Sequence, residues 1–327
     1  MASQPTSSSV ASAPPLTNAG RQTLRRGTSR SRRRASETLS AYLFLLPYLL
    51  VLLVFWIGVS IYGVGLSLFT VDLGFTPPQF VGLHNYEILF SQLSNFAESY
   101  FWISMVNIIK YVIVIVIGQT ILALALAVIL QNITRGRGIF RTIFYIPAVT
   151  SSVATSLIFL WLYNPDGLID YTLYLLHIPG PDWLNNPTFA LPALMLLNIW
   201  TTGAAFMIYF LAALQDIPKE LVEAAAVDGA NRWQAFWYVT IPLLRPAIFL
   251  VVALGTIGGF QMFDQAKFMT DGGPLNSTLT PMLEIYNAAF QDSHFGLAAA
   301  MSVLLFILIF IVTIIQRRLI DPSISNK

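Results

Sequence analysis

The sequence predicts an all-α, polytopic membrane protein with six transmembrane helices, and three observations carry that prediction. Apolar residues make up 56% of the chain and charged ones only 10%, too few charges to clothe a water-soluble domain of this size. Uncharged apolar runs of about 20 residues recur, the length a helix needs to cross the hydrocarbon core of a bilayer. The basic residues crowd into alternate connections, as they do in chains that cross a membrane repeatedly.

Taken in order, residues 1–36 are rich in Ser, Ala, Pro and Arg and hold no acid before Glu37, so they lack the apolar residues to build a core. They read as a disordered basic cytoplasmic tail that orients the first span and touches anionic lipid, with an organellar transit peptide as the minority alternative. The first apolar run is too long for a cleaved secretory signal and lacks a clear small-residue cleavage site. Residues 37–327 read as one six-helix domain, with spans at about 41–69, 103–130, 142–163, 189–214, 246–268 and 295–315. Two charges fall inside them: Lys110 near one end of the second, where its stem can snorkel, and Asp264 toward the far end of the fifth.

Topology follows from the arginines. Arg21, Arg25, Arg26, Arg30, Arg32, Arg33 and Arg34 lie in the tail, Arg135, Arg137 and Arg141 follow the second span, and Lys219, Arg232 and Arg245 follow the fourth. Arg317, Arg318 and Lys327 close the same side, whereas the opposite loops carry only Lys267. Both termini are therefore placed in the cytoplasm. His84, His177 and His294 then face outward as solvated or interfacial side chains, with no carboxylate or cysteine at metal-ligand spacing. The absence of cysteine removes disulfides and thiolate chemistry, and a net charge of +2 says little about nucleic acid.

The polar interval at about residues 215–246 is the most informative stretch. Asp216 is placed to cap a helix, Pro218 fits its opening turn, and Gly229 can take the left-handed conformation that ends it. Asn231 with Gln234 three residues on makes a capping box for a second helix, expected to run until Ile241-Pro242 breaks it. Ala224, Ala225 and Ala226 are small enough for another protein to approach the backbone, and Glu223 and Asp228 flank them with charge. Such a knuckle suits mechanical docking.

Within the spans, polar side chains turn toward protein or a water-filled path. Asn198, Thr201, Thr202 and Ala205 share one helix face; Gln261 and Asp264 lie three apart beside Gly255, Gly258 and Gly259; Thr150, Ser151 and Ser152 follow Pro147, where hydroxyls can bond freed backbone. Each has interhelical packing as its plain alternative. The outward segments, about residues 70–102, 164–188 and 270–294, hold aromatic anchors such as Tyr86 and Trp183 and a Gly272-Gly273-Pro274 turn; they could seat a soluble partner.

Glu223-Ala224-Ala225, Asp228-Gly229-Ala230, Ile241-Pro242 and Pro246 resemble the EAA loop of binding-protein-dependent ATP-binding-cassette (ABC) permeases. Phe263-Asp264, the run from Thr270 to Pro274, the run from Tyr286 to Phe290 and the run from Gly296 to Ala300 are similar to the carbohydrate-uptake branch that includes the maltose and glycerol-phosphate permeases. The resemblance extends from about residue 40 onward and is strongest after 190. It implies the type I importer architecture, a bacterial-type cytoplasmic (inner) membrane location, and a chain that binds no cofactor. It further implies a second homologous permease subunit, two cytoplasmic ATPases that use ATP and magnesium, and an extracytoplasmic solute-binding protein. Residues Glu223, Ala224, Ala225, Asp228, Gly229 and Ala230 would be the ATPase-coupling element.

For the solute path the candidates are Asn198, Thr201, Thr202, Ser152, Gln261 and Asp264. Of the maltose-line positions, Asn198 matches in identity and context and Ser152 is a plausible second. A family glycine and tyrosine stand here as Thr202 and Ala205, and asparagines of the next helix lack a clear counterpart around Gly259 and Met262. Neutral amides and hydroxyls suit a sugar or polyol, whereas a phosphate ester would call for clustered Arg or Lys. None of the four lysines follows a glycine, so no phosphate-loop motif occurs, and HExxH is absent. The alternative from another class is an ion-gradient-driven secondary transporter using Asp264 and Lys110 as coupling charges, for which the docking knuckle would have no purpose.

Overall fold

The computed structural model describes residues 41–71, 77–133 and 135–320; the predicted tail lies outside the described residues. In chain order the helices are α1 (Ala41–Leu66), α2 (His84–Ser91), α3 (Tyr100–Asn132), α4 (Arg137–Val149) and α5 (Ser152–Leu162). They continue with α6 (Leu168–Leu175), α7 (Pro187–Gln215), α8 (Lys219–Val227), α9 (Arg232–Leu243), α10 (Arg245–Phe260), α11 (Pro281–Tyr286) and α12 (Phe295–Ile320). A two-residue ribbon, β1 (Phe69–Thr70) with β2 (Gln79–Phe80), is the one strand pair among the described residues.

Four of these helices are long and apolar enough to cross a membrane, α1, α3, α7 and α12, and the number rises to six if each of two bent pairs is one span. The pairs are α4–α5, bent by 93°, and α9–α10, bent by 66°. The chain divides into two compact units, Met1–Ser60 and Ile61–Lys327. In the first, residues 41–60 are helical and, apart from half-buried Leu52, exposed throughout, as lipid-facing side chains are.

In the second unit the core is organised on α3 and α7. A Cβ placed on Gly118 would sit 2.5 Å from Ile199 Cδ1, and one placed on Gly203 would sit 2.8 Å from Leu122 Cδ2. Residue numbers rise together along this seam, so the two helices run parallel. A chain that leaves α3 on one face and enters α7 on the other must return between them, within the stretch that holds α4, α5 and α6. Gly255 faces Gln119 and Gly259 faces Ile115, so α10 runs antiparallel to α3. One apolar cluster joins the first halves of α3 and α7 (Phe101, Ile108, Leu191, Leu194) to Phe260, Leu283 and Met301. A second joins their later halves (Ala127, Leu130, Phe210, Leu214) to Leu244 and Val251.

Several sequence expectations need correction. The third span is not one helix over 142–163: Pro147 lacks an amide hydrogen, and Thr150 (ψ 140°) leaves helical geometry. Thr150 Oγ1 donates to Ile146 O at 2.9 Å, a carbonyl left open where the helix ends rather than the Ile143 carbonyl that Pro147 frees, so the expected use of these hydroxyls is not what the structure has. The fifth helix stops at Phe260, where Gly258 and Gly259 weaken it and the amides of Gln261 and Met262 bond three residues back. Asp264 therefore lies beyond that helix, before a wide helical turn at Ala266–Thr270, rather than inside it. Asp216 ends α7 instead of starting α8, whose N-cap is Pro218 with no side-chain cap. Pro242 does not break α9: a wide turn at Phe236–Thr240 precedes it, and the break falls at Leu244.

Candidate functional site

The knuckle is set by its own sequence. α8 is only nine residues long and buries none of them, so neither length nor packing holds it. Its caps do. Gly229 takes φ +86°, the amide of Ala230 donates to Ala225 O at 2.9 Å, and that of Gly229 donates to Ala226 O at 3.1 Å. These are the paired bonds of a Schellman stop, which satisfy carbonyls that would otherwise be orphaned. Asn231 then opens α9: its Oδ1 accepts from the Gln234 amide and Gln234 Oε1 accepts from the Asn231 amide, both at 2.8 Å. A stop at Gly229 and a start at Asn231, two residues apart, fix the angle between the helices.

The surface thus presented is open. Glu223, Ala224, Asp228 and Gly229 are exposed, Ala225 and Ala230 half-buried, and Val227 is 88% exposed. Neither carboxylate forms an ion pair among the described residues. Trp233, at 69% exposure, stacks on Phe236 with ring centroids 6.1 Å apart.

The intramembrane candidates separate into two groups. In one, Thr202 Oγ1 lies 2.6 Å from Asn198 O, 3.2 Å from Asn198 Oδ1 and 2.7 Å from Gln119 Oε1. Thr201 spends its hydroxyl on the carbonyls of Leu197 and Asn198. Gln119 is fully buried, and its Nε2 has no partner among the described residues; it sits where a Cβ on Gly255 would fall. Sequence reading passed over Gln119, although an amide in the middle of the apolar stretch between Lys110 and Gln131 was the available signal. Such interhelical hydrogen bonds average only about 0.6 kcal/mol, and the small Gly255 lets α10 approach α3 closely at the same place.

In the other group, Ser152 Oγ donates to Asp264 Oδ2. Ser152 is the first residue of α5, just after one helix break, and Asp264 follows the end of α10, so the contact ties two interrupted elements. A carboxylate at a helix start also meets the positive end of its dipole. Gln261 is exposed, and no hydrogen bond of its side chain occurs among the described residues; nor does any link the Asn198 group to the Asp264 group. Lys110 is exposed on α3.

A cavity of about 500 Å³ opens between the end of α5, the segment before α7 and the loop after the wide turn, lined in part by Tyr163, Asn164, Asp182, Asn185, Lys267 and Asp271. It includes none of the predicted path residues. Lys267 Nζ bonds Asp271 Oδ1 at 2.8 Å, and Asp182 Oδ1 accepts from Asn185. In α11, burial, with the nearby Asp292 adding to it, pushes the Glu284 carboxyl up to about 7.

A helical chain with interrupted spans and an uncovered helix-turn-helix between two of them defines a class of membrane permease. The chain belongs to the binding-protein-dependent transport system inner membrane component family, whose model matches residues 119–326. It is a multi-pass membrane protein of that family, and the resemblance to carbohydrate-uptake ABC permeases holds. Among its relatives, the "Probable ABC transporter permease protein YesP" of Bacillus subtilis is 35% identical over 290 residues, covering 88% of this chain and 92% of that protein. The "Lactose transport system permease protein LacF" of Rhizobium radiobacter is 36% identical, covering 66% of this chain and 74% of that one. The fold is shared with a solved bacterial ABC transporter "involved in the import of the acidic polysaccharide alginate", at TM-score 0.73 and 20% identity over 89% of this chain and 98% of that one.

Proposed function

We propose that this chain is the transmembrane permease subunit of an ATP-driven importer for a neutral sugar or related polyol. It takes solute from an extracytoplasmic binding protein and is driven by separate cytoplasmic ATPases. The observation that carries this reading is the doubly capped knuckle at Glu223–Ala230, a knob on which Ala224, Ala226 and Gly229 are exposed and Ala225 and Ala230 half-buried. In this reading Glu223, Ala224, Ala225, Asp228, Gly229 and Ala230 seat in an ATPase cleft. The ATPase must grip them differently in its two states, because equal affinity would shift nothing.

ATP and magnesium belong to those partners, a second homologous permease completes the membrane part, and both termini face the cytoplasm. The relatives support the solute class: one is named for lactose transport, and another, the "Trehalose/maltose transport system permease protein MalF" of Thermococcus litoralis, for trehalose and maltose. A solved alginate transporter of the same fold is in complex with a "pentasaccharide-bound periplasmic protein", which supports the binding-protein partner. Asn198, Thr201, Thr202, Ser152, Gln261 and Asp264 remain the path candidates. Their hydroxyl and amide groups match the donors and acceptors of a neutral sugar.

The test is uptake of lactose, trehalose and maltotriose into membrane vesicles holding the reassembled complex, with proton and sodium gradients collapsed. ATP-dependent uptake of one of them is the expected result. Uptake that continues on an ion gradient without ATP would overturn the reading in favour of a secondary transporter.

A further inference from the structure

α4 is not explained by solute passage or by coupling. Its sequence puts Arg137, Arg141, Thr142 and Tyr145 on one side and Ile139, Ile143 and Ile146 on the other, a division that follows the 3.6-residue period. The protein-facing edge lies beside Arg137 rather than among the isoleucines: Pro147 is buried, and Phe144, next to Arg137 around the helix, packs on the cluster formed by α3 and α7. The isoleucines do not. Ile139 is 67% exposed, Ile143 52% and Ile146 55%, so a continuous greasy line lies uncovered along the helix.

The basic side is equally unpartnered. Arg135, Arg137 and Arg141 fall within seven residues of one another, the segment from 131 to 149 contains no acid, and none of the three takes part in an ion pair among the described residues. Arg137 Nη2 is buried with no acceptor among them. That nitrogen is sealed by the chain itself, but Arg137 is only half-buried as a residue and Arg135 and Arg141 are exposed, so their remaining donors are open to an anionic oxygen from outside the chain. The helix start points the same way: its N-cap is Gly136, which offers no side chain to the first amides, and the dipole favours negative charge at that end.

We propose that α4 is an interfacial lipid-binding helix, its Ile139–Ile143–Ile146 line sunk among acyl chains and its Arg137 and Arg141 holding the phosphate of an anionic phospholipid. An apolar stripe beside a basic one is the arrangement by which helices lie in an interface and select anionic lipid. A single phospholipid answers both stripes, its phosphate the arginines and its acyl chains the isoleucine line, and the two lie on one 13-residue helix. This assignment needs the chain to be in a membrane and does not depend on which solute it carries.

The test is lipid retention by the full-length protein purified in detergent, read by native mass spectrometry during titration with dioleoylphosphatidylglycerol or dioleoylphosphatidylcholine. The parent should retain the anionic lipid about 25-fold more tightly, since each of the two arginines near a charged headgroup is worth about fivefold. Arg137→Gln with Arg141→Gln should bring the two lipids to near parity, and the corresponding Lys variants should keep most of the preference. Should the double variant not fold, Arg141→Gln alone is expected to lose about fivefold. Equal retention by the parent, or a preference that survives both glutamines, would overturn the proposal. Displacement by millimolar inorganic phosphate would also overturn it, by making the site one for the free ion.

Discussion

The knuckle of α8 and α9 and the polar groups inside the membrane are both short hydrophilic insertions in an apolar chain, yet opposite causes hold them. At the knuckle every bond that fixes the backbone spans at most five residues, as between Ala230 and Ala225 or Asn231 and Gln234. Around Gln119 and Thr202 the partners are 83 residues apart, and between Ser152 and Asp264 they are 112 apart. A locally determined surface can stay uncovered and keep its shape for a partner. A cluster assembled from distant helices exists only while the packing does, so its side chains answer first to stability.

That contrast can be broken most forcefully at Gly255. Gly255→Leu would drive a side chain into the place of the Gln119 amide, at a cost of about 3 kcal/mol, and the thermal unfolding midpoint in detergent should fall. Adding Gln119→Ala should recover part of that loss. A double variant as unstable as the single one would show that the two residues do not compete for space.

Gly229→Val comes next. A branched residue in a left-handed position costs about 1–2 kcal/mol, paid in an element that buries nothing, so insertion and unfolding midpoint should hardly change. ATP-driven uptake should nevertheless fall at least about tenfold. Gly229→Asn, which tolerates that conformation, should be milder. Full uptake by the Val variant would separate the knuckle from coupling.

Asn198→Leu sharpens the membrane side. If the Asn198 amide meets solute, uptake should drop several-fold with the yield of assembled protein unchanged; unaltered rates would return it to a packing role with Thr202.

The smallest effect is expected from Glu284. Its carboxyl is raised in the folded protein, so folding is favoured most below the ordinary carboxylate range, and that contribution is lost as pH rises through about 7. Stability measured from pH 4.5 to 8 should decline less steeply in Glu284→Gln. An identical slope would locate the pH dependence elsewhere.

What was legible in the sequence follows the same division. Gly229, Asn231 and Gln234 behave as their chemistry dictates because the bonds they make are local. The long helices were legible from apolar length. The breaks were harder: Pro147 and Pro242 look alike in the sequence, but the chain bends after the first, while a wide turn ahead of the second lets the helix run on to Leu243. Asp264 was assigned to the same helix as Gly255 because hydropathy does not register that Gly258 and Gly259 end it early and that Asp264 opens a separate helical segment. Gln119 went unremarked because its importance lies in facing Gly255 across a helix boundary, a relation that no local window contains.

The Ser152–Asp264 contact has a mechanical corollary. It pins one elbow of the chain to another, and α9–α10 leads from the knuckle directly into the segment that carries Asp264. A shift at the far end of α10 is therefore felt at the start of α5 through one hydrogen bond, a latch that can be made or released as the two ends move.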